Sequence, residues 1–398
     1  MMAGASRERT PEVAQPMHAQ TSLLYVTTVS STVSHFLSPY AAHFRDLGWR
    51  VDAAANGATQ DPAVVRTFDR VYDLPLSRSP LDLKGLSGAG GAVTRAIASG
   101  YDIVHVHTPI ASFITRLIVR RLAAPRRPKV AYTAHGFHFH SAGHPLTNAL
   151  FLIAERLAGR WTDRLVVING EDYEAARRHR IVPPRHLVRM PGIGLDTDAY
   201  SRSGMPADAF TAARHELGVL TEVPLFAVMG DLNRNKRPTD AIEALALMRH
   251  VDSTLVFIGD GSQRDDVERL AERRGVRQRV RITGFMDDVR PLLGSATALI
   301  MPSRREGLAR SIMEALALEV PVVASTARGN RELVGADGLI VPTGNVDALA
   351  RAMDWLIDHP EERAVMGRRG RLRMVARYDL RNLIQLHEEL YREMLFGR

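Results

Sequence analysis

The stretch MPSRREGLARSIMEALALEVPVVASTARGNRELV (301–334) reads as the end of a buried strand, a polar loop, a helix and the next buried strand. The first strand ends at Pro302. The helix opens near Ala309 and runs through Leu318, and PVVAST (321–326) is apolar enough to be covered on both faces. This is the repeating unit of a parallel α/β sheet, and it recurs in both directions. Just upstream lie PLFAVMG (224–230), STLVFIGD (253–260), VRITGF (280–285) and ALIMPS (298–303). Further upstream, SLLYVTTV (22–29), WRVDAAAN (49–56), DIVHVHT (102–108), KVAYTAH (129–135) and RLVVING (164–170) form a second set, with helical stretches such as 36–47 and 110–124 between them.

Between the two sets, 190–210 is rich in Gly, Pro, Ser and Asp and reads as an interdomain linker. The predicted organisation is a disordered leader (1–21), a doubly wound domain over 22–195, a second over 196–375, and a last helix (376–398) crossing back to the first. Two such domains bind ligands at the carboxyl ends of their strands, which puts the site in the cleft between them.

Composition narrows the partners. With 45% apolar and 24% charged residues and no long uncharged apolar run, the chain reads as soluble and globular. It has no cysteine, which excludes disulfides and thiolate chemistry and fits a reducing cytoplasm. The net charge is +8, and residues 101–195 alone hold 14 basic against 6 acidic side chains. Such a half-domain attracts anions: nucleic acid, phospholipid headgroups or a phosphorylated substrate. Only 3 of the 52 basic residues are lysine, so an arginine-rich solvated face is the competing explanation.

In the opening stretch, Glu306 precedes the helix and Glu314 lies inside it, about two turns along. Gly307 admits close approach of a ligand to the backbone, and the helix start at 307–311 (Gly307, Leu308, Ala309, Arg310) offers unpaired N–H groups and a positive dipole to a phosphate. In MGDLNRNKRPTDAIEAL (229–245), Lys236 with Arg234 and Arg237 suits phosphate neutralisation. The histidines of DIVHVHTP (102–109) and AYTAHGFHFH (131–140) fall at strand ends facing the cleft. His138 and His140 lack a carboxylate or thiolate at ligand spacing, so a metal site is not expected there. The Asp196-Thr197-Asp198 triplet, a metal-binding pattern elsewhere, sits in the linker and reads as a turn cap. In IGDGSQRDDVERL (258–270), Gly259 and Gly261 lack the third glycine of a dinucleotide fingerprint.

Taken together, Glu306, Glu314, Pro321, Val322, Gly329 and Glu332 resemble the donor-site motif of the retaining glycosyltransferases of family 4, which have the two-domain GT-B fold. HVHTPIAS, AHGFHF, VVINGEDYEAA and MPGIGLDTDAY extend the resemblance from about residue 22 to the end, toward a bacterial subgroup that builds surface polysaccharide or glycan on a lipid carrier. The resemblance implies a metal-independent enzyme with no cofactor, a UDP-sugar donor and a polyprenyl-diphosphate-linked saccharide acceptor. By it, Glu306 holds the donor sugar, Glu314 the ribose and Lys236 the leaving diphosphate. His135 with Gly136 lies near the reacting carbon, and Gly284 and Phe285 pack on the nucleobase. Ser30 and Ser31 belong to a flexible acceptor-side loop with Thr32, an ordinary helix cap being the equal alternative for them, and His107 supports the cleft. The basic half-domain then holds the enzyme peripherally on the anionic inner face of the membrane.

Two departures from the family pattern stand out. Leu308-Ala309 replaces a commoner Phe-Gly, and Asp231 occupies the place of an arginine, leaving Arg234 to supply the charge. Three other functions are weighed against transfer. The first is a nucleotide-sugar 2-epimerase on the same fold, the second a degenerate nucleotide-binding scaffold. The third, a nucleic-acid binder, lacks an aromatic-interleaved basic groove, so nucleic acid is not expected as a partner.

Overall fold

The computed structural model describes residues 20–76, 83–139 and 144–397. All but the end of the expected leader, together with His140, lies outside them. The first sheet contains β1 (Ser22–Val29), β2 (Arg50–Asn56), β3 (Val71–Asp73), β4 (Ile103–His107), β5 (Lys129–Ala134), β6 (Arg164–Val167) and β7 (Leu187–Arg189). All pairs are parallel, in the order β3-β2-β1-β4-β5-β6-β7. The second sheet contains β8 (Leu225–Met229), β9 (Thr254–Ile258), β10 (Val280–Gly284), β11 (Ala298–Met301), β12 (Val322–Ser325) and β13 (Gly338–Val341). It is also parallel, in the order β10-β9-β8-β11-β12-β13.

The central strands β1, β4, β8, β9 and β11 are buried nearly end to end, because helices cover both faces. Strand order reverses between β1 and β4 and again between β8 and β11. The crevices opened at these two switch points are where the loops carrying Ser30, Thr108, Gly230 and Glu306 emerge.

Three details differ from the reading of the sequence. β3, β7 and β13 are short edge strands that it does not contain. The segment holding Ser30, Ser31 and Thr32 is a helical turn (Ser30–Thr32) that runs on through a π-helical stretch into helix Ser38–Asp46, rather than a flexible loop. The donor-side helix is Arg310–Ala317, with Ala309 in an extended conformation before it, so Glu314 lies one turn from the helix start and not two.

Helix Pro360–Tyr378 ends at Asp379, whose side chain caps the next helix, Leu380–Phe396. This last helix leaves the second domain. Its Leu383, Leu390, Tyr391 and Met394 are buried in one cluster with Leu23, Tyr25, Phe44 and Val51 of the first. His43 and Glu388 meet at 2.9 Å across the same contact. At the crossing, Leu195 of the linker bonds through its backbone to Tyr378 and Leu380, tying outgoing and returning strands of chain together. Among the described residues no helix is long and apolar enough to cross a membrane.

Candidate functional site

The donor-side loop after β11 is held by a stack of glycines. A Cβ on Gly307 would stand 1.9 Å from the His135 carbonyl oxygen, and one on Gly329 would stand 2.0 Å from the Gly307 carbonyl oxygen. Three segments from two domains therefore touch backbone to backbone, which only glycine permits. Around the stack, Asn169 Nδ2 donates to the Gly307 carbonyl (3.2 Å) and the Gly170 N–H donates to Glu332 (2.8 Å). Arg328 donates to the Phe137 carbonyl (2.7 Å) and pairs with Asp172 at 2.8 Å. Burial pushes the Asp172 carboxyl up, and Arg328 and Asn169 pull it back.

Beside this contact, Lys236 Nζ donates to Glu306 Oε1 at 2.9 Å. Lys236 follows β8 and Glu306 follows β11, so the switch point of the second sheet brings them together. Asn235 clamps the same two loops, accepting from the Arg304 N–H (2.7 Å) and donating to the Arg305 carbonyl (2.9 Å).

Glu314 is turned inward, 7% exposed, and accepts from Tyr200 Oη at 2.9 Å and Arg310 Nε at 2.8 Å. Burial raises its pKa against the opposing pull of Arg310 and Tyr200. Tyr200, from the linker, was not among the expected residues. Arg310 also reaches the His35 carbonyl (3.1 Å) and lies over the Phe36 ring, joining the helix start to the turn that follows Ser30 and Ser31.

His135 belongs to a file of rings. His105 stacks on His107 (centroids 4.3 Å), His107 on His135 (5.3 Å), and His387 of the last helix lies 5.9 Å from His105. The His107 Nδ1 and His135 Nε2 atoms are 3.0 Å apart, whereas the buried His107 Nε2 has no hydrogen-bond partner among the described residues. A buried N–H without an acceptor is costlier than a bare lone pair, so the favoured arrangement leaves His107 Nε2 unprotonated. Then His107 Nδ1–H donates to His135 Nε2, and the His135 proton sits on Nδ1. Burial depresses all four imidazoles, His135 and His387 to about 4, so they are neutral at physiological pH. With burial favouring the neutral ring, His135 can offer its Nδ1–H as a hydrogen-bond donor. Gly136 follows it, facing Gly307 and Arg328.

The remaining expected residues lie along the carboxyl edge of the second sheet. Gly259 sits under Gly230, where a Cβ would meet the Gly230 carbonyl oxygen at 2.2 Å, and it forms a bridge with Gly284. Phe285 is 79% exposed. Asp231 is exposed and accepts from Asn233 Nδ2 (2.6 Å), and Arg234 is exposed with no side-chain partner among the described residues. Leu308 lies against Gly192 of the linker. Asp196 caps its turn by accepting from the Asp198 and Ala199 N–H groups. Among the described residues no group of three His, Asp or Glu side chains is placed to hold a metal ion.

Known proteins resemble the chain in sequence and in fold. Residues 32–192 match the family described as glycosyl transferase 4-like domain, and residues 210–373 match glycosyl transferases group 1. The chain is 34% identical over 359 residues to the glycosyltransferase EpsD of Bacillus subtilis (strain 168), covering 88% of this chain and 91% of that protein. It is 24% identical over 305 residues to the UDP-Gal:alpha-D-GlcNAc-diphosphoundecaprenol alpha-1,3-galactosyltransferase of Escherichia coli, covering 75% of this chain and 77% of that one. In fold it is similar to Anabaena Alr3699/HepE in complex with UDP, with a TM-score of 0.78 at 20% identity over 93% of this chain and 99% of that one. The two parallel sheets, the paired sequence matches and the shared fold agree: this chain belongs to the group 1 glycosyltransferases of family 4 type, with the GT-B fold.

Proposed function

We propose that this glycosyltransferase moves a sugar from a UDP-sugar to a saccharide on a polyprenyl diphosphate, with retention of configuration and without metal or cofactor. The setting is surface-polysaccharide or glycan assembly at the inner face of the plasma membrane. The observation that carries this reading is the Lys236–Glu306 pair at the switch point, beside the start of helix Arg310–Ala317 and next to Gly307, which packs on the His135 carbonyl. A diphosphate entering there meets the Lys236 ammonium and the helix N-terminal N–H groups, freeing Glu306 for the hydroxyls of the donor sugar. His135 Nδ1–H is available to the same sugar.

In the transfer step, the anomeric carbon–oxygen bond to the β-phosphate breaks and the electron pair leaves with UDP. The acceptor hydroxyl forms its bond on the face the phosphate vacates, and its proton passes to the departing phosphate oxygen. Lys236 and the helix start stabilise the growing phosphate charge, the main catalytic contribution. UDP in the HepE complex and the diphosphoundecaprenol-linked acceptor in the name of the E. coli relative support the choice of donor and acceptor.

The test is label transfer from UDP-, GDP- and ADP-sugars into the lipid-extractable fraction of bacterial membranes, by wild type and Glu306→Gln in parallel. Incorporation from a UDP-sugar by wild type alone supports the reading. Sugar conversion without an acceptor would replace it with epimerisation, and nucleotide binding without turnover with a scaffold.

A further inference from the structure

The loop that carries Glu306 begins with two arginines whose side chains the fold does not spend. Arg304 and Arg305 are exposed, and Asn235 holds only their backbone, accepting from the Arg304 N–H (2.7 Å) and donating to the Arg305 carbonyl (2.9 Å). Both arginines line a cavity of about 1140 Å³ between the two domains. Arg331 of helix Asn330–Val334, in the second domain, lines it too, as does Arg178 at the end of helix Gly170–Arg178, in the first. None of these four guanidinium groups has a hydrogen bond or ion pair among the described residues.

The acids along the cavity are mostly committed. Glu332 is held by Arg189 and by the Gly170 N–H, both at 2.8 Å, and Glu174 by Arg177 at 2.7 Å. Of the lining carboxylates, Glu171 alone is left without a partner among the described residues. Such an excess of unpaired guanidinium over carboxylate suits a multiply charged anion. This is not the donor site, since neither Lys236 nor Glu306 lines it, although Gly329, which packs on the Gly307 carbonyl, forms part of its wall. Another part is apolar: Phe139, with Ala149 and Leu152 of helix Pro145–Gly159.

We propose that this cavity holds the diphosphate of the lipid-linked acceptor, with the first isoprenoid carbons against Phe139, Ala149 and Leu152. The inference rests on the proposed function and names the residues that separate a diphosphate-linked saccharide from a free one. Two anion sites then meet at the Glu306 loop, Lys236 serving the donor's diphosphate and Arg304 with Arg305 the acceptor's. A soluble phosphate compound shares the anionic half of this chemistry but gives the apolar wall nothing to cover. Arg178 comes from the first domain and the other three arginines from the second, so the bound diphosphate also bridges the domains.

The experiment is calorimetry on the full chain saturated with UDP, which fills the Lys236 site, titrated with farnesyl diphosphate, farnesol or inorganic diphosphate. Farnesyl diphosphate is expected to bind at one equivalent and at least about tenfold tighter than either of the others. Arg178→Gln/Arg331→Gln should weaken it about thirtyfold, with a smaller loss at high salt, and leave UDP affinity unchanged. No binding to the UDP complex, or equal binding by the variant, would overturn the proposal. So would farnesol or inorganic diphosphate binding as tightly as farnesyl diphosphate, the latter by assigning the arginines to a soluble phosphate compound. In label transfer, the same variant should need about tenfold more membrane for its half-maximal rate. Transfer with an unaltered membrane requirement would sink the site and leave the proposed function standing. Arginine-dependent binding of farnesyl diphosphate by a chain that transfers no sugar would do the reverse.

Discussion

The ammonium of Lys236 and the carboxylate of Glu306 lie 2.9 Å apart, and each is the other's ionic partner. A diphosphate therefore has to compete with Glu306 for Lys236. Glu306→Gln is expected to bind UDP a few-fold more tightly than wild type while turnover falls about a hundredfold. Lys236→Met should weaken UDP binding by about tenfold or more. Calorimetry with UDP and single-turnover transfer separate the two effects. Weaker UDP binding by Glu306→Gln would show that the pair is not in competition with the ligand.

The file of histidines makes a second prediction. If His107 sets the tautomer of His135, His107→Phe should lower kcat by about tenfold with little change in donor KM. The His135 ¹⁵N shifts should move from the Nδ1–H to a mixed pattern. His107→Asn, which keeps a donor, should recover part of the rate. A merely structural His107 would change stability without altering the tautomer.

Those rings also give stability a pH dependence. His135 and His387 titrate at about 4 in the fold against 6.5 as free side chains, because burial opposes the charge. Below pH 6.5 the unfolded chain binds protons that the native state does not. Stability is thus complete above pH 6.5 and declines as pH falls toward 4. Urea midpoints at pH 7.5 and 5 should differ in that direction, and His387→Phe should flatten the slope.

Gly307→Ala places a methyl 1.9 Å from the His135 carbonyl oxygen, across the domain boundary. Relief requires the domains to part, so the variant should stay folded yet lose most of its kcat/KM, at least about a hundredfold. Small-angle scattering should show a larger radius of gyration than wild type.

Arg328 and Asp172 form a pair in which Asp172 is fully buried. Arg328→Met strands that carboxylate and should destabilise the native state by about 3–5 kcal/mol. Adding Asp172→Asn should return much of the loss in thermal melts.

The long central strands and the Glu306, Glu314 and Lys236 loops were legible because local chemistry encodes them. Each is a buried run followed by a turn and a helix, with a glycine, Gly230 or Gly307, in the turns that carry Lys236 and Glu306. The edge strands β3, β7 and β13 were not, since three or four half-buried residues carry no pattern. Tyr200 was missed for another reason. It meets Glu314 from 114 residues away, out of a segment whose Gly and Pro content announced only a linker. The His107–His135 contact arises from neighbouring parallel strands, β4 beside β5, a register that sequence spacing does not state. Of the two readings of Ser30 and Ser31, loop or helix start, the structure has the helical one, because the following residues, Val33 and Leu37, bury themselves in the first domain's core.

The last helix has a consequence for synthesis. The strands of the first sheet are translated before the whole second domain, but part of their hydrophobic cover, Leu383, Leu390, Tyr391 and Met394, only after it. Until the last helix emerges, that surface has no mate within the chain. A protein split at 379 and co-expressed as two pieces would have to reassemble the first domain in trans. A stop codon there would release two sheets of which the earlier lacks its seal.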